Sequence, residues 1–217
     1  MVFRVQNSYL SNRQIYFFIL IFNICISWIF HNYIMTKSVY YNLLSEQIEI
    51  NRIDQYIDSI HGYSYWEYIL IPVILGLKFS LISFLVQFFL LLRNIDISFQ
   101  HIFRTVMLAS LALNLGLMVK ILFLYDLPTI EITRNVLKTV PLSLTHVFNL
   151  NQYPESSIIV FNTINPFEFL WAFIVYRGLL TTKIINKGEC FIIVLSVWTI
   201  MLCLSWVSVL YIERINS

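Results

Sequence analysis

The stretch "WEYILIPVILGLKFSLISFLVQFFLLLRN", residues 66–94, limits what this chain can fold into. Its apolar run, Tyr68 to Leu92, exceeds the roughly 20 residues a helix needs to cross ~30 Å of hydrocarbon. Lys78 stands near the centre of that run, roughly 15 Å deep at about 1.5 Å per residue. A charged lysine at that depth costs at least about 2.5 kcal/mol on insertion scales. Such a residue is expected to face other helices and to have a partner, or to shed its proton.

The rest of the sequence repeats the pattern. Apolar blocks occupy about 15–34, 68–92, 102–125, 157–180 and 190–211, and little remains outside them. Hydrophobic residues make up 59% of the 217 and charged residues 12%, where a soluble domain is about half apolar and a quarter charged. The blocks are continuous and do not alternate over about ten residues, which argues against a β-barrel. The expectation is a single all-α domain, an integral membrane bundle of about five spans. The first block is long for a signal peptide, and "HNYIMTKSVYY" after it lacks small residues for a peptidase, so it reads as a retained anchor.

Five spans put the termini on opposite sides. With the N-terminus in the cytoplasm, the tight connections "RNIDISFQH" and "TTKIINKGE" are cytoplasmic and carry Arg93, Lys183 and Lys187, with Arg104 just past the first. Short basic loops on the inner side are what the positive-inside rule weighs most. The longer connections are then outer. One of them, about 39–62, spaces Ile50, Ile53, Ile57 and Ile60 as an amphipathic helix with acids between. The other, about 129–150, has "EITRNVLKTV" ending at Pro141, the pattern of a short helix stopped by proline. In the fourth block Asn165–Pro166 reads as a helix start, which makes that block either a short span or one broken near its middle.

Polar residues within the blocks are few. Glu168 is the acid that could share mid-depth with Lys78, and Asn114 lies near the centre of the third block. Gln87 lies deeper on the second, and Lys120 is close enough to an end to snorkel outward. Lys78, Asn114 and Glu168 are the candidate intramembrane polar cluster. Its plain reading is a buried ion pair, Lys78 with Glu168, that locks helix order. Its sharper reading is the lining of a conduction or substrate path. "ASLALNLG", residues 109–116, comes closest to small-residue spacing and marks the third span as central.

No catalytic motif, paired acids in one helical turn, glycine-rich loop, or His/Cys ligand spacing is present, so no enzyme activity, metal or cofactor is expected. Cys25, Cys190 and Cys203 lie in or at the edges of blocks and read as small hydrophobes. The net charge of +2, without a Lys/Arg run, gives no reason to expect nucleic acid as a partner.

Two stretches carry a family resemblance. "ILGLKFSLISFLVQFFLLLRNIDISFQHIFRTVMLASLALNLGLMVKIL" has a span, a short polar loop, an "SF" and a small-residue run; "NPFEFLWAFIVYRGLLTTKIINKGECFIIVL" has an aromatic start, a glycine, a basic loop and a final span. Over residues 66–212 this resembles the Yip-type five-span membrane proteins, with Gly178, Lys183, Lys187 and Gly188 in the corresponding places. The chain is poorer in glycine and proline than that family, and Lys78 has no counterpart in its pattern. The resemblance implies a membrane-embedded organising or interaction protein with no catalytic residues.

The expected role is therefore a non-catalytic scaffold or subunit of a bacterial inner membrane that binds other membrane proteins or itself. The alternative is a small channel, transporter component or membrane-perturbing effector with a polar path through Lys78 and Glu168.

Overall fold

The structure is a computed structural model that describes residues 11–45, 49–148 and 153–216, with the backbone alone at 50, 51, 61, 64, 155 and 216. Every regular element among them is helical: α1 (Asn12–Ile29), α2 (Lys37–Leu44), α3 (Ile50–Leu92), α4 (Phe99–Asp126), α5 (Arg134–Lys138), α6 (Glu155–Thr163), α7 (Pro166–Leu180) and α8 (Lys187–Asn216). Four stretches are long and apolar enough to cross a membrane: Asn12–Ile34, Tyr65–Leu92, Phe99–Asp126 and Lys187–Ile215. The pair Ser156–Thr163 and Pro166–Leu180 is bent by 58° and passes the same test only when taken together. This is a helical membrane protein.

Local chemistry explains where the helices begin and end. Ser11 caps α1 in a reciprocal box: Gln14 N–H donates to Ser11 Oγ, and Ser11 N–H donates to Gln14 Oε1. A π-helical turn, Phe30–Ile34, extends α1 and carries His31. α4 stops where Pro128 pushes Leu127 into extended backbone, at φ −81° and ψ 138°. Asn94 takes the left-handed conformation (φ 55°) in the tight turn between α3 and α4, a geometry asparagine accepts more readily than most residues.

α4 is the hub, packed against α1, α3 and α7. Its buried side includes Val106, Met107, Ala109 and Ala112, which meet Ile15 and Ile19 of α1, Phe79, Ile82 and Val86 of α3, and Trp171 and Val175 of α7 in one core. The small residues bring α7 close: a β-carbon on Gly116 would lie 2.9 Å from the Phe167 ring. The opposite faces are apolar and open, as at Leu77 (66% exposed), Phe84 (63%) and Phe169 (58%). Large hydrophobics outside and small residues inside are what hydrocarbon solvent permits, since lipid does not drive apolar groups inward.

The two ends of the bundle differ. One has tight turns, residues 93–98 and 181–186; the other carries the long connections. At the loop-rich end α3 continues past its span, so that one helix of 43 residues, about 65 Å long, crosses the core and projects from it. Ile53 and Ile57 on the projection are buried against Tyr40 of α2, while Arg52, Asp54, Tyr56 and Asp58 are exposed. Burial raises the Tyr40 phenol above its ordinary value of 10.0, and the charges of Tyr56 and Glu67 add to the rise. The Ile50 side chain and residues 46–48 of this segment lie outside the described residues, as do residues 149 and 150 of the second connection.

The second connection folds back towards the bundle. Lys120 Nζ donates to Leu137 O (2.7 Å), closing the end of α5. Asn162 then fastens the segment to the break between α6 and α7. Its Oδ1 accepts from Val140 N (2.9 Å), Ser143 Oγ (3.3 Å) and Thr145 Oγ1 (3.2 Å), and its Nδ2 donates to Lys138 O (2.8 Å). Leu144 N–H donates to the Ile164 carbonyl freed by the break (3.2 Å). Irregular backbone inside a membrane protein needs such internal partners.

Candidate functional site: a charged cavity at mid-depth

Asn165 sets the start of α7. Its Oδ1 accepts from Phe167 N and Glu168 N (both 2.9 Å), and Pro166 occupies the first helical position. This places Glu168 in the first turn of α7, on the side that meets α3 and α8. Lys78 of α3, Leu113 of α4 and Met201 of α8 each stand at the middle of their own span. All four residues line one cavity of about 180 Å³, with Ile82, Thr163, Trp171, Trp198, Leu202 and Ser205.

The electrostatics of this cavity are asymmetric. Glu168 feels the charge of Lys78, and the Trp198 side chain lines the same cavity. Lys78 and Glu168 do not form an ion pair within 4.0 Å. The closed ion pair expected from the sequence is not formed: the two charges line one cavity without touching. Lys78 is moreover exposed at the bundle surface as well as lining the cavity. Thr163 and Ser205 spend their hydroxyls on their own helices, at Ile159 O and Met201 O (2.9 Å each). Trp171 is 3% exposed, and its Nε1 is buried with no protein partner.

Asn114 does not join Lys78 and Glu168. It is buried, and its Oδ1 accepts from Asn23 Nδ2 of α1 (3.4 Å), on another side of α4; its own Nδ2 has no protein partner. The predicted cluster is thus a pair plus one residue of a separate polar contact. Gln87 stays on its own helix, half-buried, with Oε1 unpartnered.

A second polar group escaped the sequence reading. Glu67 accepts from Ser27 Oγ at Oε1 (2.6 Å) and pairs through Oε2 with His31 Nε2 (2.7 Å). It stands beside a cavity of about 330 Å³ lined by Asn23, Ser27 and Lys120 among apolar residues. Glu67 sits one position outside the second apolar block as the hydropathy draws it, whereas the helix carries it inside the span. Its partners come from α1 and the turn that extends it, some forty positions earlier, so spacing along the chain gives no sign of them.

The three cysteines are unpaired. Among the described residues no three His, Cys, Asp or Glu side chains converge to hold a metal ion. Comparison with protein-family models, with curated proteins and with solved structures found no match for this chain.

Proposed function

We propose that this protein is a non-catalytic scaffold or subunit of a bacterial inner membrane, with its N-terminus cytoplasmic and its C-terminus outside, that binds other membrane proteins or a second copy of itself. The observation that carries this reading is the continuity of α3. Because span and projection are one helix, running through Pro72 without a break, the projection is continuous with the bundle. The projection has used its apolar stripe, Ile53 and Ile57, on α2. What it leaves exposed is Arg52 and Tyr56 on one flank and Asp54 and Asp58 on the other, above a belt of exposed Tyr63, Tyr65 and Trp66. Aromatic anchors rimmed by charged groups suit a protein partner. The resemblance to Yip-type proteins agrees with an organising role and remains part of this proposal.

The test is partner recovery. Asp54→Lys with Tyr56→Ala and Asp58→Lys is expected to abolish co-purification of partners, or self-association, from native membranes while the bundle stays folded. Lys78→Met is expected to leave recovery unchanged. Recovery that survives the triple change and fails with Lys78→Met overturns the docking reading.

A second reading, a polar path for a small solute, is favoured by the cavity around Lys78 and Glu168 beside a broken span. Transporters place binding sites near the midplane at such breaks. Solute flux in liposomes that Glu168→Gln abolishes would support it.

A further inference from the structure

We propose that the mid-depth cavity binds a small water-soluble zwitterion, a molecule of amino-acid size with one anionic group and one primary ammonium. The inference rests on the cavity of the second reading and is independent of the docking surface on α3.

A mid-depth site with a lone cation would select an anion, and one with a lone acid a cation. This cavity has one of each, Lys78 and Glu168, in one wall-to-wall space and not in direct contact. A guest that satisfies both must carry both charges, separated, and be neutral overall. Neutrality also limits the desolvation cost of reaching hydrocarbon depth, which rises steeply with net charge.

The Lys78 ammonium supplies the donors that a carboxylate requires. At the other pole Glu168 offers carboxylate oxygens, and Trp198 of the same lining offers an indole to an ammonium. The hydroxyls of Thr163 and Ser205 are committed to their own helices, so they do not select a sugar-like guest. The volume, about 180 Å³, fits a small amino acid and not a large one. The backbone at the break does not compete: the first amides of α7 are already taken by Asn165.

The test uses the full chain in nanodiscs of a phosphatidylcholine, whose headgroup has no primary ammonium. Radiolabelled alanine is the probe, with acetate and methylammonium as half-molecules. Saturable alanine binding is expected, with neither half-molecule competing. Lys78→Met and Glu168→Gln are each expected to weaken binding about tenfold or more, because each leaves one charged pole of the guest unpaired. Lys78→Arg keeps the cation, so it guards against a charge variant that fails to fold; it is expected to retain more binding than Lys78→Met. The inference is overturned if the wild-type protein shows no saturable binding. It is equally overturned if binding persists in both charge variants, or if acetate alone competes as well as alanine. A tightly held amine-headgroup lipid that Glu168→Gln releases would overturn the free-solute assignment. None of these outcomes touches partner recovery through Asp54 and Asp58, so the two proposals fail separately.

Discussion

Gly178 of α7 and Thr105 of α4 approach so closely that a β-carbon on Gly178 would lie 2.2 Å from Thr105 Cγ2 and 2.9 Å from Oγ1. The same point is fastened by His101 Nε2, which donates to Gly178 O (2.9 Å). α7 starts beside Gly116 and ends beside Thr105, so its path along the hub helix is fixed at both ends by an absent side chain.

Gly178→Ala is therefore expected to destabilise the bundle by about 1–3 kcal/mol, the range for forcing a methyl group into a packed core. Thr105→Ala in the same chain should restore part of that loss, because it removes the atoms struck first. Gly62→Ala is the control: its β-carbon would meet nothing within 4 Å, and in a helix the change is expected to stabilise by up to ~1 kcal/mol. Thermal unfolding of the three variants and the wild-type chain in one detergent checks the order.

Asn162 holds four groups of the second connection at once, and two of them, Val140 N and Lys138 O, are backbone. Asn162→Ala is expected to cost about 2–4 kcal/mol, the sum of several modest net hydrogen bonds. The loss should appear first as faster amide exchange at Val140 and as proteolysis within residues 129–148. Exchange at Val140 unchanged by the substitution would show that the segment is held by something else.

Tyr40 gives a pH dependence whose sign can be worked out. Its phenol is raised above 10.0 in the folded chain, so the folded state holds that proton more tightly than the unfolded state does. The stabilisation is complete below the unfolded value and is lost as pH rises through the folded one. Packing of α2 on the α3 projection is expected to weaken only in alkali above about 10, while the bundle persists. Tyr40→Phe should flatten the dependence, as followed by tyrosinate absorbance together with amide exchange in residues 37–44.

Much of this fold is legible because hydrocarbon allows so few solutions. A run such as Tyr68–Leu92 can satisfy its backbone only as a helix, and composition locates it within a few residues. Asn165–Pro166 marks a helix start because both residues act locally, one as cap and one by its fixed φ. Contacts between distant segments leave no such mark. Asn162 meets residues some twenty positions earlier, and Asn23 finds Asn114 across α1 and α4. Lys78 and Glu168 could be named from their charge and depth. Whether they touch depends on how far the break swings α7, and no local rule sets that bend.

That separation is the centre of this account, and a double-mutant cycle measures it. Lys78→Met, Glu168→Gln and the combined variant are compared with the wild-type chain for thermal stability and size in detergent. Two charges across a cavity are expected to couple by less than about 1 kcal/mol, with all three variants folded. Both single variants losing about 3 kcal/mol or more, with the combined variant recovering, would mean a closed buried pair, and the open charged cavity would be wrong.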